Sequence, residues 1–262
     1  MRFLREIRMV KDNGEFPFSL PLFRDFDTLS LDAPITFLVG ENGCGKSTLL
    51  EIVAAALRLP GLTQRSIETH PLMEVAREAA AGFRFVRQGA GWRGFYFRAD
   101  DVTGFLQSIR RNAEEHGDLA RHFEQTLPEG SGRDRAVGMA RAQVRAFAER
   151  YGEDPFARSH GELFLALFQA RLTAPGLYLL DEPEGPLSPT NQIALIAMIR
   201  DAVSEGSQFL IATHSPILMA LRGAVILDMD VSPPRPIAWD DVEHVAITRA
   251  FLSHPDSYLS RL

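Results

Sequence analysis

A glycine-rich segment at residues 40–48 constrains the fold of this 262-residue chain more than any other feature. It reads GENGCGKST and follows the apolar run at residues 35–39. A buried strand is therefore predicted to lead through a glycine loop into a helix that opens with Lys46 and Ser47. The pattern G-x-x-x-x-G-K-[ST] in this strand–loop–helix setting is specific for a loop that cradles phosphates. We therefore expect an α/β fold that binds a nucleoside triphosphate.

The residues of this loop suit the charge of a triphosphate. Gly40, Gly43 and Gly45 let the backbone bend into a nest of N–H groups that approaches the phosphates closely. The positive end of the helix dipole adds to that attraction. Lys46 would reach the β- and γ-phosphates, and the Ser47 hydroxyl would ligate Mg²⁺. The other loop residues expected to contact ATP are Asn42, Cys44 and Thr48.

Composition excludes several other classes of protein. A net charge of −6 gives no support to a broad nucleic-acid-binding surface, although a local basic patch stays open. The single cysteine, Cys44, allows no intrachain disulfide, which suits a reducing compartment. No run of 18 apolar residues occurs and the N-terminus does not resemble a signal peptide, so we expect a cytoplasmic protein without membrane insertion.

The order of predicted elements indicates a mainly parallel sheet. Strands are predicted at 3–10 and 28–39, with a turn at 32–34, and two shorter ones at 83–86 and 95–97. Residues 102–151 are polar and mostly helical, with a mobile loop expected at 128–132. From residue 159 onward helices alternate with strands: helix 162–172, strand 177–180, helix 189–204, then strands 208–212 and 223–228. This alternation is typical of a parallel sheet flanked by helices.

Two acidic residues follow the apolar strand at 177–180. Asp181 is expected to hold the Mg²⁺ shell, and Glu182 to face the γ-phosphate and polarise an attacking water. The alternative is that both only begin a turn. Another strand ends at Thr213-His214-Ser215, where an imidazole from His214 would hydrogen-bond the γ-phosphate.

The segment Ser159-His160-Gly161-Glu162 allows two interpretations. Ser159 and Glu162 match a capping box, which any helix can use. The same uncluttered helix N-terminus also suits a phosphate, in this case one held by a second copy of the chain. The residues alone favour neither interpretation.

Taken in order, these motifs resemble an ABC-type ATPase. They are residues 40–47, Ser-x-Gly-Glu at 159–162, Asp-Glu-Pro-Glu at 181–184, Leu-Ser-Pro at 187–189 and Ala-Thr-His-Ser-Pro-Ile-Leu at 212–218. More narrowly, the chain is similar to small single-domain bacterial ATPases often labelled AAA family, which are related to the chromosome-organising SMC proteins rather than to transporters. The resemblance covers nearly the whole chain.

The resemblance implies a P-loop NTPase fold with a mainly parallel central sheet, N-terminal antiparallel strands and a helical insert. It implies one domain over 1–262, with a nucleotide-binding core at 1–100 and 173–262 and a helical lobe at 101–172. It also implies an ATP-dependent head-to-tail homodimer. Each ATP would lie between one copy's Lys46, Ser47, Asp181, Glu182 and His214 and the other copy's Ser159 and Gly161. In that family, residues 187–189 would lie in a loop that crosses the dimer, although Ser188 and Pro189 also suit a helix start.

Some positions depart from the family pattern. His160 and Glu162 replace a glycine and the glutamine of the transporter signature, which argues against coupling to a membrane transporter. The stretch at 97–101 lacks the expected glutamine. Asp100 is the candidate substitute, although the same residue equally suits a helix N-cap. For the adenine, Phe16, Phe18 and Phe23 are candidates to stack on the base, but core or turn positions are favoured for them.

Three alternatives to an ATP-gated dimeric switch follow. One is the nucleotide-binding subunit of an ABC transporter. Another is a DNA-repair or phage-defence ATPase whose helical insert presents an arginine patch, although interspersed acids favour a solvated face. The third is a non-hydrolysing regulator, which Glu182 argues against. An unidentified protein partner would read the switch. The arginines of the possible patch are Arg110, Arg111, Arg121, Arg133, Arg135, Arg141 and Arg145.

Overall fold

A computed structural model describes residues 3–12, 14–61, 71–88, 93–99, 111, 115, 117–151, 160–173 and 175–260; side chains at 71–72, 143–151 and 160 are outside the description. The helices and strands within these ranges include, in chain order, β1 (Leu4–Met9), β2 (Thr28–Ser30), β3 (Ile35–Val39), α1 (Lys46–Leu57), α2 (Pro71–Ala80), β4 (Phe83–Arg87), β5 (Arg93–Arg98), α3 (Ser131–Tyr151), α4 (His160–Arg171), β6 (Gly176–Asp181), α5 (Pro189–Ser204), β7 (Gln208–Ala212), α6 (Pro216–Met219), β8 (Val225–Asp228), β9 (Arg235–Pro236), α7 (Glu243–Ser253) and α8 (Pro255–Leu259). Residues 117–126 are also helical, and short 3-10 helices lie at Pro21–Phe23 and Trp239–Asp241.

The larger sheet has six strands in the order β5-β6-β7-β3-β8-β9. Its neighbouring strands are parallel except for β8 and β9, which are antiparallel. Leu38 on β3 and Asp181 on β6 both pair with Ala212 on β7, so the carboxyl ends of these three strands lie level. Ligands of open parallel sheets bind beyond this edge. The three predicted site segments therefore meet there.

The central strands are buried on both faces, as their continuous apolar sequences require. Because side chains alternate along a strand, Leu177 and Leu179 of β6 pack with α1 and the smaller sheet, whereas Tyr178 and Leu180 pack on the opposite face. That opposite face is covered by α4 and α5. Their contributions to this second core are Leu163, Phe164, Leu167, Phe168, Leu195 and Ile199.

The smaller sheet is antiparallel, in the order β2-β1-β4. Gln208 on β7 links it to the larger sheet. The Gln208 side-chain oxygen accepts from the N–H groups of Phe3 and Leu4 at 2.8 and 2.9 Å, and its nitrogen donates to the carbonyls of Leu4 and Leu31. This buried amide therefore fixes the position of one sheet on the other.

The predicted α/β fold, with its mainly parallel sheet and N-terminal antiparallel strands, is confirmed. The predicted strand 28–39 is divided between the two sheets, as β2 and β3. Helix α4 begins at His160, two residues before the predicted start, and α3 begins at Ser131, inside the predicted 128–132 loop. The helix at 71–80 was not predicted. The single-domain division with its lobe at 101–172 stays a prediction.

Within the described part of the chain, none of the helices has the length and apolar content needed to cross a membrane.

Candidate functional site

The loop at 40–48 holds Lys46 against its own backbone. The Lys46 Nζ donates to the carbonyls of Gly40 at 2.7 Å and Glu41 at 2.8 Å, and the side chain is 5 % exposed. Gly43 and Gly45 have φ angles of +83° and +121°, where a side chain would be strained. The ammonium group is thus fixed inside a concave backbone turn at the start of α1. Asn42 is exposed at the mouth of the turn, and Thr48 is half-buried in the first turn of α1.

Asp230, which follows β8, closes the other side of this loop. Both of its carboxylate oxygens accept from the Glu41 N–H, at 2.8 and 3.0 Å. A Cβ at Gly40 would lie 2.8 Å from the Asp230 Oδ1, so only glycine allows this approach. Sequence reasoning missed Asp230 because no spacing rule connects residues 190 positions apart.

Cys44 is buried within the loop, 3.7 Å from the Lys46 Nζ. Burial raises the pKa of its thiol, and nearby Lys46 partly opposes that rise. The neutral thiol therefore fills space within the loop.

Asp181 and Ser47 place a carboxylate and a hydroxyl oxygen next to each other beside the phosphate loop. The Ser47 hydroxyl donates to the Asp181 Oδ1 at 3.0 Å, and the Tyr96 hydroxyl lies 3.5 Å from Oδ2. Burial raises the pKa of Asp181 to about 7, since the Ser47 hydrogen bond and Arg98 offset only part of the desolvation cost. Arg98 itself pairs with Glu51 of α1 at 3.2 Å.

The Ser47 hydroxyl and the Asp181 carboxylate together fit Mg²⁺ as ligands. Hydroxyl and carboxylate oxygens are the ligands that Mg²⁺ prefers, and the ion commonly takes one or two protein ligands together with phosphates and water. A buried carboxylate whose charge is poorly compensated is also a favourable place for a cation. Among the described residues, no cluster of three or more His, Cys, Asp or Glu side chains is arranged to hold a metal.

Glu182 has an unusual backbone conformation for a residue with a side chain. Its φ angle is +49°, and its N–H donates to the Ala212 carbonyl at 2.9 Å. Such a left-handed residue costs about 1–3 kcal/mol and persists where the surrounding structure enforces it, often at functional sites. The Glu182 Oε1 lies 3.9 Å from the His214 Nε2.

His214 lies at the end of β7, and its surroundings favour the neutral imidazole. Desolvation, Lys46 and His244 lower its pKa from 6.5 to about 4. Its Nδ1 lies 3.2 Å from the Nε2 of His244, whereas its own Nε2 is buried and has no hydrogen-bond partner. The unpartnered nitrogen is the one closer to Glu182, so His214 offers a free position towards the site.

Glu184 holds the backbone of His214. Its Oε1 accepts from the His214 N–H at 2.7 Å, and burial raises the pKa of its carboxyl group. The strand-end segment at 181–184 therefore positions the His214 segment directly. Sequence reasoning matched Glu184 to a motif without assigning it a role.

An open cleft of about 590 Å³ lies between these groups. It is lined by Glu41, Asn42, Glu182, His214, Glu243, His244 and Ile247. The last three belong to α7, a helix that sequence reasoning did not connect with the site. A volume of this size is in the range of small-molecule sites.

Several predicted residues lie elsewhere or outside the described residues. Gly161 is buried in α4 and is not among the residues that line the cleft. The Cβ of any larger residue at this position would lie 2.7 Å from the Asn191 side-chain nitrogen and 2.9 Å from the Pro186 carbonyl oxygen. Ser159 and Asp100 are outside the described residues. Ser188 caps α5, since its hydroxyl accepts from the Asn191 N–H at 3.3 Å.

The aromatic residues before the loop are mostly core residues. Phe18 stacks on Phe83 with ring centroids 5.6 Å apart, and Phe23 packs edge-on to the same ring. The core positions favoured for Phe18 and Phe23 are therefore confirmed, and because both rings are buried neither is exposed to stack on adenine. Phe16 is 52 % exposed and stays a candidate for the base.

Three arginines of the possible basic patch are paired with acids of the same helical region. The pairs are Arg121 with Asp118, Arg133 with Glu129 and Arg141 with Glu124. Arg110 and the side chain of Arg145 are outside the described residues. The pairs agree with a solvated helical face rather than a nucleic-acid surface.

Comparison with known proteins identifies two matching family models. An "AAA domain" model matches residues 18–70, and a model described as "AAA domain, putative AbiEii toxin, Type IV TA system" matches residues 162–220. Together these segments contain the phosphate loop, both strand-end acids and His214.

Curated relatives match most of the chain. The lipoprotein-releasing system ATP-binding protein LolD 1 of Caulobacter vibrioides is 30% identical over 227 residues, which are 84% of this chain and 88% of that protein. The aliphatic sulfonates import ATP-binding protein SsuB 2 of Pseudomonas aeruginosa is 30% identical, over 82% of this chain and 72% of its own. The cobalt import ATP-binding protein CbiO of Salmonella typhi is 27% identical, over 86% and 82%.

Among solved structures, the ADP conformation of an ATP-binding cassette of an ABC transporter is similar in fold. It has a TM-score of 0.50 and 16% sequence identity, and the match covers 97% of this chain and 98% of that one.

Proposed function

Because this chain belongs to the family of ABC-type ATPases, whose members bind and hydrolyse ATP, we propose that it acts as an ATP-gated dimeric switch. The observation that carries this proposal is the close placement of three strand ends. They bring Ser47 within 3.0 Å of Asp181, and Glu182 within 3.9 Å of His214, beside the phosphate loop.

In this proposal each group meets a defined part of the triphosphate. The loop amides and Lys46 bind the β- and γ-phosphates. Ser47 and Asp181 would hold Mg²⁺, which supplies positive charge to the phosphate oxygens. Glu182 accepts a proton from the attacking water, and the Nε2 of His214 donates to a γ-phosphate oxygen.

The second half of the site comes from another copy of the chain. Ser159 and Gly161 at the start of α4 would contact the γ-phosphate held by the partner. The proposal is supported by the open form of the cleft, to which α4 of the same chain contributes no lining residue among those described. Contacts that depend on the γ-phosphate favour the dimer with ATP over the dimer with ADP, and hydrolysis then releases the two copies.

The test is the solution mass of the Glu182→Gln variant, measured by light scattering in Mg-ATP and in Mg-ADP. This variant keeps the binding groups and lacks the proton acceptor, so we expect a dimer in ATP and a monomer in ADP. The matched control adds Lys46→Ala, which should remain monomeric in both nucleotides. An unchanged mass in ATP would overturn the dimeric switch and leave Gly161 a packing residue of α4.

A second candidate is the nucleotide-binding subunit of a transporter. It is favoured by the curated relatives, which are named as ATP-binding proteins of import and lipoprotein-releasing systems. The atypical residues His160 and Glu162 argue for a different partner. Affinity purification of the tagged protein from detergent-solubilised membranes separates the candidates, because a transporter subunit should carry an integral membrane protein with it.

A further inference from the structure

Helix α7 contributes an imidazole to the site from the C-terminal part of the chain. The Nε2 of His244 lies 3.2 Å from the Nδ1 of His214, and the ring planes cross at 74° with centroids 4.8 Å apart. This is hydrogen-bond distance. His244 also lines the cleft, next to Glu243 and Ile247.

The position of His244 is fixed by packing around the start of α7. Val242 and Val245 are 3 % and 2 % exposed and belong to the core formed with α4 and α5. The Trp239 indole donates to the Pro216 carbonyl at 3.1 Å, two residues beyond His214. Arg249 covers the Trp239 ring at 4.8 Å and pairs with Asp240. The helix is therefore held against the segment that carries His214.

The hydrogen bond between the two rings has a consequence for the proton of His214. A neutral imidazole carries one N–H, and the other nitrogen can only accept. If the proton lies on Nδ1, then Nε2 presents a lone pair to the cleft and repels a phosphate oxygen. If His244 donates to Nδ1, the proton lies on Nε2 and the ring can donate to a phosphate.

One observation favours a proton on Nε2. The Glu182 Oε1, an acceptor, lies 3.9 Å from this nitrogen and attracts a donor more than a lone pair. The Nε2 is buried and has no hydrogen-bond partner in the described structure, so no other described group already uses its bonding position.

We propose that His244 is a positioning residue, which donates from its Nε2 to the Nδ1 of His214 and so keeps the His214 proton on the nitrogen that faces the γ-phosphate. This inference deepens the proposed function, because it rests on the role of His214 as a phosphate donor. His244 itself need not touch the nucleotide.

The first test measures the tautomer in the nucleotide-free protein, by ¹⁵N NMR of the His214 ring. We expect the Nε2–H form in the wild-type protein and a mixture of forms in His244→Ala. His244→Gln should restore the Nε2–H form, since its amide nitrogen can donate from about the place of the His Nε2, whereas the shorter His244→Asn should not. An Nδ1–H tautomer in the wild-type protein, or an unchanged tautomer in His244→Ala, would overturn the proposal.

The second test compares affinities for a non-hydrolysable ATP analogue and for ADP. Loss of one hydrogen bond to a charged oxygen should weaken binding of the analogue by about tenfold in His244→Ala and leave ADP unchanged. His244→Gln should bind both nucleotides like the wild type, and His254→Ala, which changes an exposed imidazole after α7, is the matched control. Equal weakening of both nucleotides would indicate a merely structural role and overturn the proposal.

Failure of the proposed function is distinguishable from failure of this inference. If the wild-type protein binds no ATP, the switch is overturned, while the tautomer of the nucleotide-free protein still tests whether His244 orients His214.

Discussion

The Ser47 hydroxyl donates to Asp181 at 3.0 Å, although the two residues are 134 positions apart in the chain. This hydrogen bond joins the first turn of α1 to the end of β6, directly below the phosphate loop. The Asp181 carboxyl is 7 % exposed, and its pKa of about 7 reflects the cost of ionising it there. A divalent cation bound with the nucleotide would lower that cost, which links metal binding to the charge of this one residue.

We expect Asp181→Asn to abolish Mg²⁺-dependent ATP hydrolysis and to stabilise the nucleotide-free protein. The loss in turnover should be at least about 100-fold, the scale of removing a group that holds transition-state charge. Steady-state ATPase assays over a Mg²⁺ titration measure it. Asp201→Asn, an exposed acid on α5, is the control and should keep wild-type turnover.

The stability effect of Asp181 has a definite sign. The folded protein keeps this group protonated up to a pH near 7, whereas the unfolded chain releases the proton near pH 3.8. The free energy of unfolding of the wild type should therefore fall, relative to Asp181→Asn, as the pH rises from about 4 to 7. Denaturant melts without metal check this, and parallel curves for the two proteins would contradict it.

Lys46→Ala should remove ATP binding while Lys11→Ala should not. These are the only two lysines of the chain, and Lys11 is exposed. The Lys46 ammonium would make charge-assisted hydrogen bonds to phosphates, and losing one such bond costs about 1.5–3 kcal/mol, a decrease in affinity of at least tenfold. Isothermal titration with ATP in both variants is the measurement. Wild-type affinity in Lys46→Ala would show that the loop does not bind the phosphates.

His214 should make the protein sensitive to mild acid. In the folded protein the pKa of His214 is about 4, below its ordinary value of 6.5. Between these two pH values the unfolded chain therefore binds a proton at His214, whereas the folded chain does not. The neutral His214 therefore costs the folded state nothing above pH 6.5, and the free energy of unfolding decreases as the pH falls from 6.5 to about 4. His214→Gln cannot titrate, so its free energy of unfolding should fall less than that of the wild type over this range. His254→Gln, at an exposed position, should follow the wild-type curve.

Alkylation of Cys44 should be slow and should block nucleotide binding once complete. The thiol is 6 % exposed and burial raises its pKa, so little thiolate is accessible at neutral pH. A bulky adduct would occupy the concave side of the loop next to Lys46. Because Cys44 is the only cysteine, mass spectrometry of the intact protein reports the extent of reaction. Cys44→Ala should bind ATP before and after the treatment, and ATP binding by fully alkylated wild-type protein would contradict the prediction.

Local sequence patterns predicted the parts of the site that depend on local geometry. Glycines at 43 and 45 predicted the backbone nest, because only glycine takes those positive φ angles without strain. The apolar runs of β3, β6 and β7 predicted strands buried on both faces of a parallel sheet, and hence acids and an imidazole gathered at one edge. The family resemblance added the expectation of a head-to-tail dimer in which Ser159 and Gly161 of a second copy contact the nucleotide.

The tertiary structure decided the contacts between residues far apart in the chain. His244 reaches His214 because Trp239, Val242 and Val245 dock the start of α7 on the core. Asp230 reaches Glu41 because β8 pairs with β3. Packing also separated the buried rings of Phe18 and Phe23 from the exposed ring of Phe16. Periodicity and motif spacing describe one element at a time, whereas these contacts depend on how whole elements pack together. The sequence by itself therefore determined the phosphate loop and the fold. Only the packing of the elements decided which side chains complete the site.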